Sequence, residues 1–172
     1  MSVTNEKGLH GYEFLEYFNK VTPMNRLYKG VYSLDDIPKS IKVKEFLVVN
    51  LSKKNEEGSH WFCIVRSHLR VYEIFNSLGF TDLDAVLPYL KITSNADLVY
   101  NQTPFQLPNT TTCGLYVIFF LVYRMLNLDL NFYHVLEELF DANNALNENK
   151  VTSFCQHLKD AEDDSDVFDL FD

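Results

Sequence analysis

Thr110-Thr111-Thr112-Cys113-Gly114-Leu115-Tyr116-Val117-Ile118-Phe119-Phe120-Leu121-Val122-Tyr123 is the stretch on which the fold turns. A polar run delivers one cysteine to the head of the most apolar segment in the chain. That segment is apolar on every side, which predicts a buried helix from Cys113 to Leu126 rather than a surface one. The first turn of a helix has unpaired backbone N–H groups and roughly half a unit of positive charge. A thiol placed there is expected to lose its proton more easily, and the thiolate is the nucleophile. The expectation is a cysteine enzyme built around a buried helix.

Upstream, Phe46-Leu47-Val48-Val49-Asn50-Leu51 is short, apolar and rich in β-branched residues, the pattern of a buried strand. A polar loop, Lys53 to Ser59, leads to His60-Trp61-Phe62-Cys63-Ile64-Val65 as a second strand. Val71-Tyr72-Glu73-Ile74-Phe75 is a third, joined to the second by a link short enough for a hairpin. Leu98 to Asn101 makes a fourth. Gly30 to Pro38 reads as an extended piece followed by a turn capped by Ser33. Helices are expected over His10 to Asn19, with Phe14, Leu15 and Phe18 on the packed face, and over Asn131 to Phe140 and Lys150 to Lys159. A weak one is expected over Asp82 to Leu90, where Pro88 interrupts. The order is that of an α+β fold: a central mostly antiparallel or mixed sheet packed on the buried helix that carries the nucleophile.

The chain has 172 residues, enough for one domain with a real core. Residues 1–159 are expected to form it, and 160–172 to be an acidic, disordered tail. The run Leu115 to Tyr123 falls well short of the roughly 20 residues that span a bilayer. Met1 to Gly8 is polar and lacks the apolar core of a secretory signal, so a soluble, intracellular protein without membrane contact is expected. Three widely spaced cysteines predict no disulfide framework, and without paired Cys or His ligands no metal is expected. A net charge of −9 argues against a broad nucleic-acid surface. Lys39, Lys42, Lys44, Lys53 and Lys54 could form a local basic patch or a solvated face.

A thiol nucleophile needs a base, a group that orients the base, and donors for the oxyanion. In an antiparallel hairpin the start of strand 60–65 lies beside the end of strand 71–75, so His60 and Asn76 become neighbours at one rim. Asn76 then orients the imidazole of His60. Gln106, in the loop before Cys113, has an amide that can donate to an oxyanion together with the Cys113 N–H. The chain order His60, Asn76, Gln106, Cys113 reverses that of papain. Each residue alone has a structural reading: Cys113 as a small core residue, His60 as a satisfied histidine, Asn76 as a turn residue. Cys63 and Cys155 read as core, and His10, His68, His134 and His157 as surface or packing residues.

Gly58-Ser59-His60-Trp61, then Tyr72-Glu73-Ile74-Phe75-Asn76-Ser77-Leu78-Gly79-Phe80-Thr81-Asp82, then Gln106 seven residues before Cys113-Gly114-Leu115-Tyr116, together resemble the adenovirus maturation protease (adenain) family. The same block order occurs in the SUMO-specific and ubiquitin-like proteases. Val49-Asn50, the Gln-to-Cys spacing and Gly79-Phe80-Thr81-Asp82 look more like the adenovirus branch. Gly30 to Pro38 is similar to proteases of virophages and Polinton transposons. The resemblance runs from Gly30 to Leu126, and loosely to Leu158. It implies an adenain-like fold, with His60 as base, Asn76 as orienter, Gln106 as oxyanion donor, Cys113 as nucleophile and Trp61 packing against the site. It implies a monomeric thiol endopeptidase that cleaves capsid or core precursors during virion maturation, in the virion or the host cell interior (cytoplasm, nucleus or viral factory). Two other readings stand beside it: an isopeptidase acting on ubiquitin-like or SUMO-like modifiers, and an inactive protein-binding module. The resembling family has an acid where this chain has Asn76. That family is activated by a disulfide-linked peptide and by DNA. The cysteine expected eighteen residues before the nucleophile is Asn95 here, and with the acidic charge this argues against both activators, leaving no cofactor expected.

Overall fold

The computed structural model describes residues 8–81, 83–92 and 95–162, together with Val167 and Phe171. Two short helices, α1 (Glu13–Phe18) and α2 (Met24–Leu27), precede five strands: β1 (Tyr28–Ser33), β2 (Phe46–Asn50), β3 (Trp61–His68), β4 (Val71–Phe75) and β5 (Asp97–Tyr100). Three helices follow: α3 (Cys113–Leu126), α4 (Phe132–Leu139) and α5 (Asn144–Asp160). The strands lie in one sheet in chain order. The β2–β3 and β3–β4 pairings are antiparallel, whereas β1–β2 and β4–β5 are parallel. The sheet is therefore mixed, the second of the two forms expected from the sequence, with parallel and antiparallel pairings in equal number. Parallel neighbours need crossovers of about a dozen residues or more, and links 34–45 and 76–96 supply them.

Both faces of the sheet are covered, which is why every residue of β2 is buried and its sequence shows no alternation. One face carries Phe46, Val48, Cys63, Val65 and Phe75 against α1, α3, α4 and α5. The other carries Leu47, Val49, Phe62, Ile64 and Ile74 against Leu34, Ile37, Ile41, Phe80, Val86 and Leu90 from the crossovers. Eleven of the fourteen α3 residues are buried, consistent with a helix enclosed on nearly all sides. Its one charged side chain, Arg124, is fully buried and donates to both carboxylate oxygens of Glu73 on β4, each at 2.7 Å.

Several local expectations need correction. Asp82 to Leu90 forms two single 3-10 turns, Leu83–Ala85 and Leu87–Tyr89, rather than an α-helix, with residue 82 outside the described residues. Pro88 has no N–H to continue a helical ladder, yet Val86 and Leu90 still reach the core. In α1 it is Tyr17, not Leu15, that joins Phe14 and Phe18 inside; Leu15 is exposed. Ser33 stands at the N-cap of a 3-10 turn, Leu34–Asp36, without a side-chain cap bond. The last helix begins at Asn144, where the Asn143 side chain accepts from the Ala145 N–H, a capping signal not used in placing its start at Lys150. Most of the expected acidic tail, residues 163–166, 168–170 and 172, lies outside the described residues. Val167, however, is buried, and the Phe171 ring lies against Phe119, Tyr123 and Phe154, so at those positions the chain is docked. Among the described residues no helix is long and apolar enough to cross a membrane.

Glu73→Gln leaves the Arg124 charge buried and uncompensated, and is expected to lower unfolding stability by about 3–5 kcal/mol in urea titration. Replacing the pair together, Glu73→Leu with Arg124→Met, should recover most of that loss.

Candidate active site

His60 stands at the end of the polar loop, one residue before β3, and Asn76 one residue after β4. The antiparallel register that sets Cys63 opposite Phe75 brings them close, and His60 Nε2 lies 2.6 Å from Asn76 Oδ1. The Asn76 amide is oriented by two other bonds. Its Nδ2 donates to the Gly79 carbonyl at 3.0 Å, and its Oδ1 accepts from the Leu78 N–H at 3.0 Å. An oxygen that only accepts must meet an N–H, so His60 carries its hydrogen on Nε2 and keeps a lone pair on Nδ1. Gly79 makes this turn possible. It has φ +72°, and a Cβ there would stand 2.2 Å from the Gln102 carbonyl oxygen.

Asn101, which was not singled out from the sequence, grips the backbone of Asn76. Its Oδ1 accepts from the Asn76 N–H at 3.0 Å and its Nδ2 donates to the Asn76 carbonyl at 2.7 Å. It sits there because β5 runs parallel to β4, with Tyr100 opposite Ile74. The only sequence signal was an Asn at the end of an expected strand.

Cys113 is the first residue of α3, and its thiol is free and 8% exposed. The backbone N–H groups of Trp61, Gly114 and Cys113 itself point at the sulfur and favour the thiolate, but burial outweighs them and pushes the thiol above its ordinary value. Burial likewise pushes the His60 imidazole down, against the opposing hydrogen bond to Asn76. Both shifts favour the neutral forms, thiol and imidazole. For Cys113, desolvation runs against the proton loss expected from the helix N-terminus alone.

His60, Trp61 and Cys113 line one cleft of about 930 Å³, with Leu9, Ser33 and Asn50 among its other walls. Among the described residues no hydrogen bond joins Cys113 to His60. Catalytic hydrogen bonds are often long or misaligned in a ligand-free site and tighten around substrate. Trp61 Nε1 donates to the Leu9 carbonyl at 2.9 Å, and its ring packs in a T-shaped arrangement with Phe14. It holds the Gly8–Gly11 segment along the cleft. Gly114 serves the same contact, since a Cβ there would come within 3.0 Å of the Leu9 side chain. His10, assigned a surface or packing role, also lines the cleft and stacks on Tyr12.

Gln106 departs from its expected place. It is 2% exposed, does not line the cleft, and has both ends of its amide engaged. Oε1 accepts from Ser77 Oγ at 2.6 Å, and Nε2 donates to Thr110 Oγ1 at 2.8 Å and to the Thr110 carbonyl at 3.2 Å. These bonds brace the loop that presents Cys113 rather than aim a donor at its sulfur. Glu148 on α5 completes the brace, accepting from Thr110 Oγ1, Thr112 Oγ1 and the Leu107 N–H. Glu148 lies 35 residues beyond the nucleophile, too far in sequence for any local pattern to flag it. Cys63 and Cys155 are buried, and burial raises both thiols. Among the described residues no cluster of three or more His, Cys, Asp or Glu is placed to hold a metal ion.

Compared with protein-family models and with curated proteins, the chain gives no match.

Asn76→Asp places a negative charge 2.6 Å from His60 Nε2 and so favours the imidazolium. The His60 pKa, followed by NMR, is expected to rise from below its ordinary 6.5 to above it. Stability should fall, because the variant sets a carboxylate oxygen against the Gly79 carbonyl.

Proposed function

We propose that this chain is a cysteine endopeptidase that works through Cys113, His60 and Asn76. One observation carries the reading: an imidazole whose tautomer is set by a rigid Asn amide shares a cleft with a thiol at the N-terminus of a buried helix. Neither burial nor packing requires the imidazole of this bond to line that cleft.

In this reading His60 Nδ1 takes the proton from Cys113 Sγ as the sulfur attacks the scissile carbonyl carbon. The C=O electron pair moves to oxygen, and the backbone N–H of Cys113, at the positive end of α3, stabilises the charge. The tetrahedral adduct collapses, its C–N bond breaks, and the imidazolium gives its proton to the leaving amine. Water, deprotonated by His60, then attacks the thioester. Its collapse releases the acid and returns a proton to the sulfur. Asn76 stabilises the imidazolium less than a carboxylate would, which suits a pair that rests neutral and ionises only during attack.

This chemistry cleaves acyl bonds, amides among them, and a polypeptide substrate is the class the proposal adopts. The narrower assignment to capsid or core precursors of a virus or virus-like element rests on the resemblance of the His-Trp and Gln-x6-Cys-Gly blocks to the adenain family.

Cys113→Ala and His60→Ala are each expected to abolish cleavage of a quenched fluorescent peptide pool while circular dichroism stays unchanged. Either variant retaining more than a tenth of the wild-type rate would sink the reading. The pH profile of kcat/KM provides an independent check. Its acid limb should lie below pH 6.5, where the depressed His60 is protonated, and its alkaline limb above pH 9.0, where the raised Cys113 ionises. A thiolate absorbance band at neutral pH that Cys113→Ala removes would show a resting ion pair instead.

A further inference from the structure

Asn50 closes β2, with Ser33 and Trp61 as its partners on either side. Phe46 and Val48 face the core beneath α3, and the two-residue period of a strand turns Asn50 to that same face. There it lines the cleft beside the backbone N–H that contacts the Cys113 sulfur. Only 9% of Asn50 is exposed. Its Oδ1 accepts from the Ser52 N–H at 2.9 Å and the Ser59 N–H at 3.3 Å, which fixes the amide's orientation. The opposite end, Nδ2, has no acceptor among the described residues. It lies 3.1 Å from where a Cβ of Gly58 would stand, and the missing side chain at 58 leaves it uncovered on the cleft wall. Held in direction by the two bonds to Oδ1 and open to the cleft, this donor is pre-oriented for an acceptor on a ligand.

We propose that Asn50 is a substrate-binding residue whose Nδ2 donates a hydrogen bond to a main-chain carbonyl of the peptide lying in the cleft. This rests on the peptidase reading above. A carbonyl is the acceptor because the donor is neutral and every peptide presents one at each residue, whatever its side chains. The Ser52 and Ser59 bonds give Asn50 a separate structural task, the bracing of loop 52–59, and the two tasks use opposite ends of one amide.

Asn50→Asp separates them. It retains both accepted bonds and replaces the donor with an acceptor. Wild type and variant are compared on the same peptide pool, with iodoacetamide alkylation of Cys113 reporting the nucleophile without any peptide. The variant is expected to unfold at the wild-type temperature and alkylate at the wild-type rate. Its KM should rise by about tenfold, the equivalent of one lost hydrogen bond, with kcat little changed. Gly58→Ala, which crowds Nδ2 with a methyl group, should raise KM in the same direction. Wild-type KM in Asn50→Asp overturns the proposal, and so does a loss confined to kcat, which would mean an interaction made only in the transition state. If wild type cleaves nothing, the peptidase reading fails and this assignment falls with it. If wild type cleaves and Asn50→Asp matches it, only the Asn50 assignment fails.

Discussion

The bidentate bond between Arg124 and Glu73 is the constraint on which the rest of the structure depends. The apolar side chains of α3 would bury comparable area if the helix slid or turned against the sheet. A guanidinium and a carboxylate, both buried and paired through two parallel hydrogen bonds, tolerate no such slip, because an unpaired charge there costs several kcal/mol. Glu73 lies three residues before Asn76, and Arg124 eleven residues after Cys113, or about 16 Å along a helix. One buried ion pair therefore sets the axial position of Cys113 against the strand whose end carries Asn76. Arg124 also donates to the Asn127 carbonyl, satisfying the helix C-terminus with the same side chain.

A second level of order comes from the turn Asn76-Ser77-Leu78-Gly79. Asn76 faces His60, while Ser77 holds the nucleophile loop through the Gln106 amide and through the Phe105 and Gln106 N–H groups that its carbonyl accepts. His60 and the loop that presents Cys113 are thus both referenced to one four-residue segment, itself held by Asn101. Rigid support of this kind fixes the two side chains' relative positions. It also explains the electrostatics. A site packed this densely removes water from both the thiol and the imidazole, which favours the neutral form of each.

Local sequence pattern carried far into this architecture. The bounds of α3 and β4 follow from apolar runs ended by polar or turn residues. The meeting of His60 with Asn76 follows from a hairpin whose link is too short for any other arrangement. Gln106 marks where such reasoning stops. Its spacing from Cys113 matched a functional pattern, yet its direction was decided by Ser77 and Thr110, and only Thr110 is near it in sequence. Asn101 and Glu148 were invisible for the same reason, since their partners sit 25 or more residues away.

The sequence by itself determined the elements, the α+β class, the buried helix headed by Cys113 and the His60–Asn76 pair. Periodicity, turn chemistry and hairpin length are short-range properties that a chain carries in its local order. Tertiary structure alone decided the parallel edges of the sheet, the withdrawal of Gln106 from the cleft, the desolvation of Cys113 and His60, and the opening of the Asn50 Nδ2 donor to the cleft. Each of these depends on which distant groups desolvate a side chain or offer it a hydrogen bond, and only the folded chain supplies those neighbours.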